Sequence, residues 1–192
     1  DNANLSVMGF DPLKFYSGRS PLEAASIGID LKPDDVTYRA NLVCLAGEDE
    51  YENLTMADYS AGEITTKEAQ ELINCLKKYF DSDELKLYNG VSYRHCLVRS
   101  KGELGTEFTP PHDISDKLIT DFLPKGKYGE EMLTMMKKSY EILKSHPINL
   151  ERVKNGKNPA NSLWFWGEGR KPALQSFEKK YGLKSAVISA VD

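Results

Sequence analysis

Residues 36–47 read VTYRANLVCLAG, and this run decides which fold the rest of the chain can build. It is rich in β-branched and aromatic residues and ends at a glycine, which is typical of a β-strand. Residues 52–60, ENLTMADYS, predict an antiparallel partner strand, joined to the first by an acidic turn at 48–50. Arg39 and Asn41 lie two positions apart, so both side chains project from one face of the predicted strand.

The next segments predict a helix and then a hairpin. Residues 65–80, TTKEAQELINCLKKYF, have a capping box in Thr65 and Glu68 and an apolar stripe at helical spacing. Residues 84–100, ELKLYNGVSYRHCLVRS, predict two strands that turn at Asn89-Gly90, a strong signal for a two-residue turn. The order strand, strand, helix, strand, strand predicts an α+β fold, in which a mainly antiparallel sheet has helices packed on one face.

Helices and loops account for the remainder of the chain. Residues 21–27 predict a short helix, with Ser20 as its N-cap and Pro21 at its first position. Residues 158–172, NPANSLWFWGEGRKP, are expected to be irregular because Asn-Pro and Gly-x-Gly are typical of loops. Other apolar patterns predict helices over 130–144, 148–155 and 172–181 and a buried strand over 183–191.

The composition excludes several classes of protein. The 192 residues carry a net charge of −4, so no broad basic surface is present to bind nucleic acid or an anionic membrane. No apolar run approaches the roughly 20 residues of a membrane-spanning helix, and no signal peptide is visible. The three cysteines, Cys44, Cys75 and Cys96, lack the spacing of a disulfide framework or a zinc site, which predicts a reducing cytoplasm.

Polar residues that the local pattern does not require form the candidate site. Arg39 offers a planar fork for a carboxylate or a phosphate, although a surface pair with a glutamate is the more common role. His112 and Asp113 follow two prolines; such a pair can bind an anion or transfer a proton, unless Asp113 or Ser115 only caps a helix. The sequence contains no phosphate-binding loop, dinucleotide fingerprint, zinc-protease motif or nucleophile elbow.

Three other stretches carry weaker signals. Arg94 and His95 interrupt a predicted strand, and their side chains point to its opposite faces. The alternative to a binding role is that one side chain is solvated and the other makes its hydrogen bonds within the sheet. Between residues 158 and 172 an aromatic wall could flank a polar pocket, although a tryptophan there could equally fill the core. These stretches, with the Gly/Ser turn before residue 20, contribute the candidates Arg94, His95, Asn161, Trp166, Arg170 and Arg19.

Longer motifs identify a family. In order along the chain these are ANLSVMGFDPLKFYSGRSPLEAASIGI, DDVTYRANLV, DYSAGEITTKEAQELI, GVSYRHCLV, TPPHDI, HPIN, GKNPANSLWFWGEGRKPAL and SAVISAVD. Together they closely resemble the archaeal-type, 2,3-bisphosphoglycerate-independent (cofactor-independent) phosphoglycerate mutases, a branch of the alkaline-phosphatase superfamily. The resemblance spans the whole chain, with one departure: Glu63 stands where relatives often carry histidine.

The resemblance implies an isomerase that moves a phosphoryl group between the 3- and 2-positions of glycerate through a phosphoserine. It implies that the nucleophilic serine directly precedes Asp1 and that the ligands of two divalent metal ions, manganese or magnesium and zinc, lie outside this chain. The chain would then be a central segment of its parent, inactive alone and without a metal of its own. Residues 1–35 would be a strip of the phosphatase core, and residues 36–192 an inserted domain that closes over the substrate.

Within this resemblance, residue chemistry suggests roles. His112 and Asp113 would handle hydroxyl protons. Residues expected to bind substrate are Arg39, Arg94 and His95, then Asn161, Trp166 and Arg170, with Asn4 and Arg19 serving a phosphate pocket on the phosphatase side. The expected partners are phosphoglycerate and the remainder of the parent, without nucleic acid or membrane. The alternatives are a homoserine kinase of the same subfamily and a non-catalytic module that binds a small anion.

Overall fold

Strand β1 (Val36–Ala46) forms the centre of a five-stranded antiparallel sheet. The structure is a computed structural model that describes residues 6–11, 13, 18–173 and 177–184. β1 is flanked by β4 (Arg94–Arg99) and β7 (Ser162–Arg170), and its last residues pair with β2 (Thr55–Asp58). The remaining strands are β3 (Leu85–Val91), which pairs with β4, and the two-stranded ribbon of β5 (Thr106–Glu107) and β6 (Lys125–Gly126).

The two faces of β1 differ in character. One face presents Val36, Tyr38, Ala40 and Leu42, which are fully buried in the main hydrophobic core. Helices α2 (Thr66–Phe80) and α3 (Gly129–Leu143) cover this face with an apolar stripe each, and burial of each large aliphatic side chain stabilises the fold by about 1.5–3 kcal/mol. Because side chains alternate along a strand, the other face presents the polar residues Thr37, Arg39 and Asn41. The predicted α+β fold with an antiparallel sheet is confirmed.

Helix α1 (Ser20–Ser26) lies over the polar face of β1. The hydroxyl of Ser20 donates to the carbonyl of Thr37 at 2.9 Å and lies 2.7 Å from the Thr37 hydroxyl. A second apolar cluster, which includes Ala24 and Leu31, fills the space beside these bonds. The prediction that Ser20 is the N-cap is wrong, because its hydroxyl is committed to β1 and the N-cap is Arg19. The predicted division of the chain at residue 35 stays a prediction.

Helices α2, α3 and α4 (Pro147–Lys154) begin and end close to where the sequence predicts. α2 has the predicted capping box, since the Thr65 hydroxyl accepts from the Glu68 N–H and the Glu68 carboxylate accepts from the Thr65 N–H, each at 3.3 Å. A further helix is α5 (Phe177–Tyr181). None of the helices within the described ranges has both the length and the apolar character needed to cross a membrane.

The hairpin turn lies later than predicted. Val91 pairs with Arg94, so the chain turns at Ser92 and Tyr93 rather than at Asn89-Gly90. Ser92 attaches this turn to the start of α2. Its N–H donates to the Thr66 hydroxyl at 3.1 Å, and its hydroxyl donates to the Ile64 carbonyl at 2.7 Å. Gly90 instead sits within β3, at an irregularity of the pairing between Tyr88 and Val91.

Two further predictions about the C-terminal part are revised or left open. The segment expected to be irregular contains β7, because four consecutive aromatic and aliphatic residues, 163–166, pair with β1. The register shifts only between Trp166 and Gly169, where Gly167 has a φ of 65°. The helix expected over 172–181 is confirmed only as α5, since residues 171–173 are not helical and 174–176 lie outside the described residues. The strand expected over 183–191 falls almost entirely outside them.

The position of Gly90 gives a stability test. A Cβ atom at Gly90 would lie 2.1 Å from the Arg94 carbonyl oxygen, whereas one at Gly156, with φ 69°, would meet nothing within 4 Å. Gly90→Ala should therefore lower the free energy of unfolding by at least about 2 kcal/mol, and Gly156→Ala by about 1 kcal/mol through backbone strain alone. Urea denaturation of the chain measures both values. Equal losses would show that β3 and β4 are not packed this closely.

Candidate functional site

Arg39 is a buried arginine held between a carboxylate and an indole. The residue is 5% exposed, its Nε lies 2.8 Å from Oε2 of Glu23 on α1, and its guanidinium carbon lies 4.2 Å from the Trp166 ring centroid. Burial lowers the pKa of Arg39, and the Glu23 carboxylate opposes this shift. The guanidinium stays charged because its ordinary pKa lies far above neutrality. The sheet thus holds a fixed positive charge, stacked and ion-paired, on its polar face.

Asn41 fixes the orientation of the indole. Its side-chain oxygen accepts from Nε1 of Trp166 at 3.1 Å, and its amide donates to the carbonyl of Tyr59 at 3.4 Å. Since Arg39 and Asn41 both contact Trp166, the prediction that they share a face of the strand is confirmed. The indole is therefore held by its polar edge while its face supports the guanidinium.

Aromatic rings extend the site outward from Trp166. The His112 imidazole packs edge to face against Trp166, with centroids 5.3 Å apart, and the Tyr59 ring lies 6.1 Å from His112. His112 sits in a short 3₁₀ helix, Pro111–Ile114, and its side chain is 48% exposed, with Nε2 3.7 Å from an Asp113 carboxylate oxygen. We call Arg39, Asn41, Tyr59, His112 and Trp166 the Arg39–Trp166 site. It combines a buried cation with an accessible imidazole.

A cleft of about 300 Å³ adjoins this site between α1 and the β3–β4 hairpin. Glu23 borders the cleft from α1, and Arg94 borders it from the hairpin. Arg19 lies 3.5 Å from the other oxygen of Glu23, and the charges of Arg19 and Arg94 both lower the pKa of Arg39, after the larger effect of burial. Two arginines therefore pair with one carboxylate and a third borders the same cleft, and the excess positive charge favours a small anion.

His95 lies on the opposite face from Arg39. It pairs across the strands with Ala40, so Arg94 and His95 point to opposite faces as the strand period predicts. The residue borders the cleft but is only 3% exposed, and its Nδ1 accepts from the Gly90 N–H at 3.0 Å. Burial lowers the pKa of His95 to about 3, so the imidazole is neutral at physiological pH. Its predicted contact with substrate stays a prediction.

The remaining candidates lie elsewhere. The Asn161 side chain extends the pairing of β7, since it accepts from the Leu45 N–H and donates to the Leu45 carbonyl, both at 2.8 Å. Arg170 lies at the far end of β7, where it pairs with Val36 and donates to the Gly102 carbonyl at 2.5 Å. Asn4 lies outside the described residues. The structure thus groups Arg19, Arg39, Arg94, His112, Asp113 and Trp166, and places Asn161 and Arg170 away from them.

Sequence reasoning missed two members of this environment. Glu23 had one local signal, its i, i+4 spacing from Arg19 on a helix, but its partner Arg39 lies on another element. Tyr59 follows β2 and gives no signal, because its contacts with His112 and Asn41 are long-range. Within the described ranges, no group of three or more His, Cys, Asp or Glu side chains gathers closely enough to hold a metal ion.

Comparisons with known proteins agree on one family. Residues 1–149 match the family model described as 2,3-bisphosphoglycerate-independent phosphoglycerate mutase. Similar relatives include the 2,3-bisphosphoglycerate-independent phosphoglycerate mutase of Methanosarcina barkeri and a probable one of Geobacter sulfurreducens, each 49% identical over 100% of this chain and over 47% and 48% of the relative. The chain therefore spans about half the length of the curated relatives it matches.

A solved structure agrees with these relatives. The cofactor-independent phosphoglycerate mutase from Thermoplasma acidophilum superposes with a TM-score of 0.64 at 29% identity, over 92% of this chain and 48% of that one.

The ion pair at Arg39 predicts a stability effect. Glu23→Gln removes the counter-charge of a nearly buried guanidinium, so the free energy of unfolding should fall by about 1–2 kcal/mol, discounted for the partial exposure of Glu23. Glu151→Gln is the matched control, because Glu151 is 63% exposed and its lysine partner lies 3.8 Å away; it should change stability by less than about 0.5 kcal/mol. Equal small changes in urea denaturation would contradict the pairing.

The buried imidazole predicts a pH dependence. The unfolded chain protonates His95 near pH 6.5, whereas the folded chain holds it neutral down to about pH 3. This stabilising contribution is full above pH 6.5 and is lost as the pH falls, with a slope approaching about 1.4 kcal/mol per pH unit. His95→Asn, whose side-chain oxygen can take the place of Nδ1, should flatten the unfolding free energy between pH 6.5 and 5. An unchanged slope in His95→Asn would refute the assignment.

Proposed function

Because this chain belongs to the family of 2,3-bisphosphoglycerate-independent phosphoglycerate mutases, we propose that it is the substrate-binding segment of such an enzyme. The full-length enzyme is then an isomerase that interconverts 3-phosphoglycerate and 2-phosphoglycerate. The observation that carries this proposal is the buried guanidinium of Arg39, which is stacked on Trp166. Arg94 borders the adjoining cleft, and Arg19 pairs with the same glutamate as Arg39. Phosphoglycerate carries a carboxylate and a phosphate, and arginine forks match both groups.

The chemistry of phosphoryl transfer explains what this chain supplies. The protein needs cations that neutralise phosphoryl oxygens and a clamp that holds glycerate while it reorients. In this proposal Arg39 and Arg94 hold the substrate carboxylate or phosphate, and the half-exposed His112 with Asp113 accepts and returns a hydroxyl proton. The rings of Tyr59 and Trp166 keep water away from the bound substrate, which protects a phosphoenzyme from hydrolysis.

Other parts of the reaction belong to the rest of the enzyme. We propose that the serine that carries the phosphoryl group directly precedes Asp1. Two divalent metal ions, either manganese or magnesium/zinc, would neutralise the phosphoryl charge in the full-length protein. The described residues do not fit a metal, since they gather no group of three or more His, Cys, Asp or Glu side chains for one. In this proposal the chain contributes binding and orientation, and the bond-breaking groups lie in the rest of the enzyme.

Compartment and alternatives follow from the same observations. The cysteines Cys44, Cys75 and Cys96 are free thiols, so a reducing cytoplasm belongs to the proposal. No observation favours a homoserine kinase or a non-catalytic module, and the relatives described above carry the mutase name.

The test uses the full-length enzyme that contains this chain, with manganese and 3-phosphoglycerate. Wild type should form 2-phosphoglycerate and should not phosphorylate homoserine with ATP. Arg39→Ala should lower kcat/KM by about 100-fold, and Arg39→Lys by less, because lysine keeps the charge but loses the fork. Lys154→Ala, 78% exposed on α4, is the control and should match wild type. Absence of turnover in the wild-type enzyme, or full activity in Arg39→Ala, would refute the proposal.

A further inference from the structure

The loop between β2 and α2 has a strained backbone. Three consecutive residues, Ala61, Gly62 and Glu63, have φ values of 49°, 65° and 49°, in the left-handed region. For residues other than glycine this conformation costs about 1–2 kcal/mol each. Such a run persists only where surrounding contacts hold it in place. The side chains that supply those contacts therefore control the shape of this loop.

Asp58 organises the loop from its beginning. Its carboxylate accepts from the Ser60 N–H at 2.8 Å, from the Gly62 N–H at 2.5 Å and from the Asn158 side-chain amide at 2.9 Å. Burial works against the charge, but these hydrogen bonds lower the pKa of Asp58 below its ordinary value. The carboxylate thus stays ionised and folds the backbone around itself.

Arg152 of α4 locks the same loop from the opposite side. Its side chain is 4% exposed, and its three nitrogens each have a separate partner. Nη2 donates to the Ala61 carbonyl at 2.6 Å, Nε donates to the Asn158 carbonyl at 2.9 Å, and Nη1 donates to the Glu68 carboxylate at 3.0 Å. One planar guanidinium therefore joins the strained loop to α2 and to the chain after α4, which the single ammonium of a lysine could not do.

The loop presents Tyr59 to the Arg39–Trp166 site. The Tyr59 carbonyl accepts from Asn41, and its ring lies 6.1 Å from His112 and 6.2 Å from Tyr93. Tyr59 directly follows Asp58 and precedes the left-handed run. The bonds of Asp58 and Arg152 thus act on the backbone next to Tyr59.

We propose that Arg152 is a positioning residue for the substrate site, acting through the strained loop to set Tyr59 against His112. This inference rests on the proposed function, because the ligand at that wall is the phosphoglycerate of the full-length enzyme. Arg152 itself touches neither Arg39 nor His112 in the contacts described. Its effect on substrate should therefore pass through Tyr59 and disappear when the Tyr59 ring is absent.

The first experiment is a double-mutant cycle in the full-length enzyme, assayed with 3-phosphoglycerate. Arg152→Lys should raise KM by about 10-fold and change kcat by less than about 3-fold, because binding geometry is altered while bond-breaking groups are not. In a Tyr59→Ala background the same substitution should change KM by less than about 2-fold. Equal factors in both backgrounds would show that Arg152 is only structural, and would overturn the proposal.

Two further variants keep this test decisive. Arg99→Lys is the matched control, because Arg99 is 5% exposed and ion-paired with Glu84 and Glu131 far from Tyr59; it should leave KM unchanged in either background. If Arg152→Lys does not fold, Asn158→Ala is the substitute, because it removes the exposed hydrogen bond from the Asn158 amide to the Asp58 carboxylate in the same loop. It should raise KM by about 3-fold, again only with Tyr59 present. An effect that does not depend on Tyr59 would overturn the proposal.

A measurement without turnover separates this inference from the proposed function. The NMR signals of the His112 imidazole report the rings of Tyr59 and Trp166 beside it. Arg152→Lys should shift these signals in the full-length protein, and Arg99→Lys should not. An enzyme without mutase activity would refute the proposed function alone. Unshifted His112 signals in Arg152→Lys would refute the positioning role alone.

Discussion

Pairing of β1 on both edges is the constraint on which the rest of the structure depends. β4 and β7 flank the strand at the same residues, so Arg39 lies between Cys96 and Trp166 and has little access to solvent from either side. Because both edges are paired with other strands, only the two faces of β1 differ in their surroundings. One face builds the hydrophobic core with α2 and α3, and the other carries the polar row that includes Arg39 and Asn41. A single strand thus sets both stability and the location of the site.

A charge in that position imposes conditions on its neighbours. A buried guanidinium without a counter-charge is strongly destabilising, and Glu23 on α1 supplies that charge. Stacking on Trp166 supplies a further attraction, and Asn41 fixes the indole that provides it. The same contacts that stabilise Arg39 also orient it. This arrangement suits a segment whose proposed task is to hold an anion in one pose, since a rigid cation loses little freedom when the ligand binds.

Sequence patterns predicted the elements that neighbouring residues determine, and they failed for the elements that depend on contacts between distant parts of the chain. β1, α2 with its capping box, α3 and α4 follow from patterns of a few neighbouring residues, and the structure confirms them. The Asn89-Gly90 turn was wrong because anchoring of Ser92 by Thr66 and Ile64 outweighs an intrinsic turn preference. β7 was missed because its partner lies more than a hundred residues earlier, as the Asn41 to Trp166 bond shows. Arg152 gave no signal, since its partners lie on three separate segments.

The central claim is that the Arg39 guanidinium, held by Glu23 and Trp166, receives the substrate anion. The most direct measurement is the NMR signal of the Arg39 Nε–H group in the full-length enzyme during titration with 3-phosphoglycerate. A saturable shift of this signal is expected, and uncharged glycerol should not produce it, because only an anion engages the guanidinium. A signal that stays in place while 3-phosphoglycerate is bound and turned over would contradict this role of Arg39.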